Sequence, residues 1–297
     1  MRFVHQFHWL FQCLMVGAGL PVVAFAQMLN LGAAAGYAGL ELTAAPVSFD
    51  LSKISSVVNG NIGIVAGGVF NFSGGAEISG GIYGGVGAQI NLSGGSSATD
   101  GVHVPFAGIP QAVTDAQNAA NYYAGLTPNH TLASLGSTTL AGSGGMNVYQ
   151  ITGNFALDRN SLTLSGTASD VFVFNIYGQI NFSRSSIVLN GVSPDAVLFN
   201  MIGSGQKMVS TGHSDTMGVF LAQNGAIQID GGVHVSNFIS GDSLIWQSGV
   251  NITQATSPTV VPVPEAGTVA TLVISLGAVG ALTYARRRRA PDVLPTV

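Results

Sequence analysis

A five-residue pattern of apolar, polar, apolar, polar and then glycine recurs along the chain, and it narrows the possible folds more than any other feature. It reads Phe70-Asn71-Phe72-Ser73-Gly74, Ile90-Asn91-Leu92-Ser93-Gly94 and Leu162-Thr163-Leu164-Ser165-Gly166. Ile180-Asn181-Phe182-Ser183 and Ile227-Gln228-Ile229-Asp230-Gly231 follow it, and Ile187-Val188-Leu189-Asn190-Gly191 nearly does. Alternation with period two turns the apolar residues to a core and the Asn, Ser, Thr, Gln and Asp residues to the outside of a half-buried strand. The glycine then opens a sharp turn. Asn71 and Asn91 are 20 residues apart, and Thr163 and Asn181 are 18 apart. A strand-turn unit near twenty residues suits one coil of a β-solenoid, whose coils bury their apolar faces by stacking. A β-sandwich of hairpins would also space its strands evenly. The solenoid is favoured because 170–176 and 196–202 are nearly continuous apolar runs, as in strands covered on both faces. The expected class is therefore all-β.

The composition agrees. Of 297 residues, 41 are Gly and only 7% are charged, while 47% are hydrophobic. A charge-rich disordered chain and a coiled coil are both excluded. Residues 27–257 carry eleven acids against four bases, a net charge of −7. Such a surface repels phosphate polymers, so nucleic acid is not an expected partner.

The two ends read as addresses. Residues 1–26 have the form of a secretory signal peptide: Arg2, an apolar run from Trp9 to Phe25, then Ala24-Phe25-Ala26. Cleavage by signal peptidase is expected between Ala26 and Gln27. The only cysteine, Cys13, lies in this segment, so the mature chain is expected to have no disulfide. At the other end a Pro-rich stretch over 258–265 precedes an uncharged run from Ala266 to Ala285, just long enough to cross a bilayer. Arg286, Arg287, Arg288 and Arg289 follow and would stay in the cytoplasm with residues 286–297, leaving 27–257 outside. Pro264-Glu265, the apolar span and the arginines resemble the PEP-CTERM sorting signal over residues 262–289. That resemblance implies processing by an exosortase in a Gram-negative bacterium that makes exopolysaccharide. The usual Pro-Glu-Pro reads Pro264-Glu265-Ala266 here.

One stretch breaks the β rhythm. Over 110–124, Pro110 suits the first turn of a helix and Gly125 its end, while Val113, Ala116, Ala120 and Tyr123 share one face. Asp115-Ala116-Gln117 through Leu126-Thr127-Pro128 resembles the helix region of the ice-binding-protein-like β-helix family. Met146-Asn147-Val148-Tyr149, Leu162 to Gly166, Asp170 to Ile176 and Gly218 to Gly225 resemble later segments of that family in the same order. The resemblance covers about residues 55–252. It implies an irregular right-handed β-helix with one long helix packed alongside.

Ice binding needs an ordered outward array, because a layer of water must match a lattice over an area. Ser161, Thr163, Ser165 and Thr167 form one outward stripe, and Asn91 with Ser93, Asn181 with Ser183, and Gln228 with Asp230 form three others. These are mixed in size and hydrogen-bonding type. The leading expectation is therefore an exported, surface-sorted protein with a binding or structural role in the cell envelope or exopolysaccharide matrix. Ice binding and a carbohydrate-active β-helix enzyme are the alternatives. Neutral polysaccharide could use the Asn/Ser faces and any exposed rings among Tyr83, Tyr122, Tyr123, Tyr177 and Trp246. Asp158-Arg159, His213-Ser214-Asp215 and Asp230 with His234 are the groupings that catalysis could draw on, and each reads more simply as a turn. No catalytic residue, metal or cofactor is expected.

Overall fold

The computed structural model describes residues 29–44, 46–48 and 56–255. The chain divides after Ser257, and all of these residues lie in its first unit. The signal peptide, the sorting motif, the apolar span and the arginine run lie outside the described residues.

The described strands pair in parallel throughout, forming a β-solenoid of about ten turns. Each full coil runs across three faces. The helix face carries, in successive coils, Met146–Ile151, Val171–Ile176, Val197–Met201 and the later part of Thr216–Ala222. The second face carries Phe155–Asp158, Ile180–Ser183 and Lys207–Thr211. Thr138–Ala141, Ser161–Ser165 and Ser186–Asn190 form the start of the third. The long strands Ala226–Ser240 and Leu244–Thr253 each bend through more than one face.

The stacking order is not the chain order. The last coil, 244–253, rests on the first: Asn251 pairs with Val57 and Thr253 with Asn59, while Phe238 pairs with Gly39. From that seam the stack continues through 62–64, 69–72 and 77–78 to the coil that ends at Val102–His103. Coil length differs along it. Asn71 and Asn91 are partners 20 residues apart, as the spacing predicts, and the Asn91 amide donates to Asn71 Oδ1 at 2.8 Å. Beyond the helix, Asn175 and Asn200 are partners 25 residues apart. The 18-residue spacing from Thr163 to Asn181 is not a coil. Thr163 pairs with Thr139 and Val188 on the third face, and Asn181 pairs with Ala156 and Val209 on the second. Two strands of one pattern on different faces of adjacent coils mimic a short repeat.

Inside the helix face one register position is aromatic in five successive coils. Tyr149, Phe174, Phe199, Phe220 and Phe238 stack with ring centroids 5.0, 5.0, 4.7 and 5.4 Å apart. Offset stacking of this kind adds to the burial of each ring. The next position is Gly39, where a Cβ would stand 2.8 Å from the Trp246 ring, so the glycine is what admits the indole. All six residues of Val171–Ile176 are buried, because the strand has core on one side and the helix layer on the other. That bears out the reading of 170–176 as a strand covered on both faces.

The helix, α1, runs from Ile109 to Ala124. Ala112, Ala116, Ala119, Ala120 and Tyr123 are buried beneath it, small enough to let the backbone approach the sheet. At 1.5 Å per residue it is about 24 Å long and covers about five coils. Buried asparagines hold it: the Asn175 amide donates to Tyr123 O at 2.7 Å and the Asn200 amide to Ala120 O at 3.0 Å. Asp115 accepts from the Ala33 amide at 2.8 Å and ties α1 to the short 3-10 turn Gly32–Gly36. Gly125 closes the helix with φ −81°, still right-handed, its amide donating to Asn121 O. The left-handed ending that a glycine there permits is not used.

Candidate functional surface

The second face carries an unbroken ladder of five strands clear of α1. Its strands pair in register over five coils, so two outward columns run along the stack. One is Ala156, Asn181, Val209, Gln228 and Ile245, free of charge. The other, nearer the corner, holds Asp158, Ser183 and Thr211 in one run and Asp230 and Gln247 in another, because the pairing between their strands ends at Ser210 and Ile229. Phe155, Leu157, Ile180, Phe182, Met208, Ile227, Ile229, Leu244 and Trp246 alternate with them and are buried, which fixes these columns outward. Neighbours along a column are one coil apart, about 4.8 Å, and the two columns about 7 Å apart.

The third face carries Ser161, Thr163 and Ser165, half-buried between Leu162 and Leu164 of the core. Thr139 and Val188 flank Thr163 in register. Toward the coils that follow, the sheet of Thr138–Ala141, Ser161–Ser165 and Ser186–Asn190 is joined by one isolated bridge, Ser186 to Asp215. The residues picked from the sequence therefore fall on two surfaces, with Asn181 and Ser183 on the second face. Thr167 belongs to neither. It sits in a turn, and its amide and hydroxyl both donate to Asp170 Oδ2, at 2.8 and 2.9 Å.

Asp170 organises that turn. Its carboxylate also accepts from the Gly144 amide at 2.8 Å and from the Asn147 side chain at 3.1 Å. Burial pushes the carboxyl up, but the hydrogen bonds from Thr167, Gly144 and Asn147 outweigh it and hold the group below its ordinary value. Of these columns the sequence pattern caught Asn181, Ser183, Gln228 and Asp230 and missed Ala156, Asp158, Val209, Thr211, Ile245 and Gln247. Lys207–Thr211 lacks the terminal glycine, and its inward Ser210 is polar and buried, so the strand does not show the alternation.

The groupings that catalysis could have drawn on are turn structure. Arg159, Arg184 and His213 all have left-handed φ, at 53°, 49° and 62°, and mark the corner between the second and third faces in successive coils. Asp215 Oδ1 accepts from the Val233 amide at 2.9 Å. Asp230 and His234 are separated by a bulge at Gly231-Gly232. His234 is buried: Nε2 donates to Gly231 O at 3.0 Å and Nδ1 accepts from the Thr216 hydroxyl at 2.8 Å. Burial, set against the Gly231 hydrogen bond and the charge of Asp215, lowers its pKa to about 4, so the ring is neutral. Of the aromatic residues offered as a sugar platform, Trp246 and Tyr123 are buried; Tyr122 and Tyr177 are exposed. Among the described residues no group of three or more His, Cys, Asp or Glu is placed to hold a metal ion, and no helix is long and apolar enough to cross a membrane.

A parallel β-solenoid with one helix laid along a face is the class of fold these pairings define. The model of the ice-binding-like family matches residues 51–258, and the chain belongs to that family. No curated protein matches it. Among solved structures, the ice-binding protein of the Antarctic ascomycete Antarctomyces psychrotrophicus is similar at 23% identity and a TM-score of 0.56, over 78% of this chain and 100% of that one. The ice-binding protein of an Arctic yeast is similar at 16% identity and 0.54, over 80% and 99%. An ice-binding protein of Shewanella frigidimarina gives 20% and 0.50, over 78% and 99%. At these identities the likeness is one of fold.

Proposed function

We propose that this protein binds ice through the second face of its solenoid. The observation that carries the reading is the family match over 51–258, and the fold shared with proteins named for ice binding supports it. It stands ahead of an envelope or matrix-building role, for which the described residues offer no comparable support. A surface that holds an ordered water layer needs side chains repeated at fixed intervals on a rigid support. The uncharged column Ala156, Asn181, Val209, Gln228 and Ile245 has that regularity over five coils, whereas the three-strand ladder that holds Thr163 ends at one isolated bridge, Ser186 to Asp215, and the ladder beyond it carries the exposed charge of Glu77. A mixed column of methyl and amide groups favours modest activity over that of a uniform threonine array. Export by the residue 1–26 signal, and sorting by the 262–289 signal through exosortase to the cell surface of a Gram-negative bacterium, belong to the same proposal. They rest on the sequence, and would bring the face to ice outside the cell.

The test is ice-crystal shaping and recrystallisation inhibition by the whole chain and two variants. Val209→Tyr puts a bulky ring in the centre of the second face, and Thr163→Tyr does the same on the third. The expected result is shaping by the parent chain, at least tenfold weaker for Val209→Tyr and unchanged for Thr163→Tyr. Loss in Thr163→Tyr alone would move the surface to the third face. A parent chain with no effect on ice would overturn the reading.

A further inference from the structure

The two halves of the stack meet at one seam, where the coil 244–253 rests on the coil that begins with Gly39–Glu41. Main-chain and hydroxyl hydrogen bonds close it. The Phe238 amide donates to Ala38 O, the Leu42 amide to Ser240 O and the Gln254 amide to Asn59 O, each at 2.8 Å, and the Thr43 hydroxyl donates to Gly241 O at 2.6 Å. Glu41 lies in this seam, in register with Ser240. Its side chain has no solvent exposure, and neither carboxyl oxygen has a hydrogen-bond partner among the described residues. The fold makes room for it with Gly68, where a Cβ would stand 2.7 Å from Oε2 and 2.9 Å from the Ile64 side chain. A buried carboxyl without partners is tolerable when neutral and costly when charged. Ser240 lies in register with it on the C-terminal side of the seam, and Ile64 and Gly68 line it on the N-terminal side. None of these titrates, while Asp50 and Lys53 lie outside the described residues.

We propose that Glu41 is a proton-operated latch on this seam: neutral, it lets the N-terminal coils dock on the C-terminal coil, and ionised, it releases them. The segment released is 39–103, while the stack 146–240 keeps its own in-register ladders. Burial alone pushes the Glu41 carboxyl up from 4.5 to about 8. An undocked Glu41 would ionise at its ordinary value, so opening becomes about tenfold more favourable per pH unit until the docked carboxyl itself ionises near 8.

Hydrogen exchange on the whole 297-residue chain tests this, read by peptide from pH 6.5 to 9.5 and corrected for the intrinsic base-catalysed rate. The expected result is that protection of 57–103 falls about tenfold per pH unit up to about 8 and then levels off. Protection of 171–201 should stay above that of 57–103 at every pH, and Glu41→Gln should remove the slope in 57–103. A parent chain without a slope would overturn the latch whatever the variant does. So would an equal slope in Glu41→Gln, or equal protection of 57–103 and 171–201 at every pH, which would be unfolding of the whole stack.

Discussion

A carboxylate that satisfies four donors is costly to remove, and Asp170 is such a group. Replacing it with alanine strands the amides of Gly144 and Thr167, the Thr167 hydroxyl and the Asn147 side chain. Asp170→Ala should lower stability by about 2–4 kcal/mol, read by urea denaturation, since a stranded buried donor costs about 1–3 kcal/mol and some of these will find water. Position 170 is visible in the sequence as the acid that opens the buried run, but its partners are not: Gly144 and Asn147 lie one coil earlier. The polar residues of the outward stripes were legible because alternation needs only local information. Thr167 looked like one more of them, because nothing local marks where the strand stops and the turn begins.

At the scale of elements, the strands were readable and their assignment to faces was not. Period two separates inside from outside, but it does not say which of three outsides. The Thr163 and Asn181 strands obey the same rule and lie on different surfaces. The helix over 110–124 was legible from its alanines and Tyr123. What holds it was not, since the Asn in each of the two runs 170–176 and 196–202 reaches a carbonyl 52 or 80 residues earlier in the chain. Asn200→Ala should leave Ala120 O and Asn175 Oδ1 without this donor. The expected cost is about 1–3 kcal/mol, seen in thermal melts together with faster amide exchange in 109–124 than in 171–176.

For the whole molecule, two buried titratable groups set opposing pH dependences. Glu41 keeps its proton in the folded state up to about 8, while an unfolded chain releases it near 4.5. Stability then falls by about 1.4 kcal/mol per unit as pH rises between those values. His234 stays neutral when folded down to about 4, while an unfolded chain binds the proton below 6.5. Stability then falls by a similar amount per unit as pH drops from 6.5 to 4. The two slopes cancel between pH 4.5 and 6.5, so denaturation midpoints should be flat there and decline from 6.5 to 8, by about 2 kcal/mol in all. Glu41→Gln should abolish the decline and expose the rise from 4.5 to 6.5 that His234 supplies. A parent chain most stable at pH 8 would contradict the Glu41 assignment, and midpoints that rise on going from pH 6.5 to 4.5 in Glu41→Gln would contradict that of His234. The solenoid itself was readable from the repeat, yet the order of its coils was not, because a twenty-residue period says that coils stack and not which coil lies on which.

That order has a consequence in time. A ribosome delivers residues 39–103 first, but the surface on which they rest is made by 238–253, among the last of the solenoid to appear. The N-terminal coils therefore cannot finish until nearly the whole solenoid exists, and such long-range closure is slow. Chains halted before residue 238 should leave 57–103 open to protease, while chains extending past 255 protect it. Late closure keeps the leading part of the chain threadable for as long as it is being made, which is the state a polypeptide must be in to pass through a narrow membrane channel.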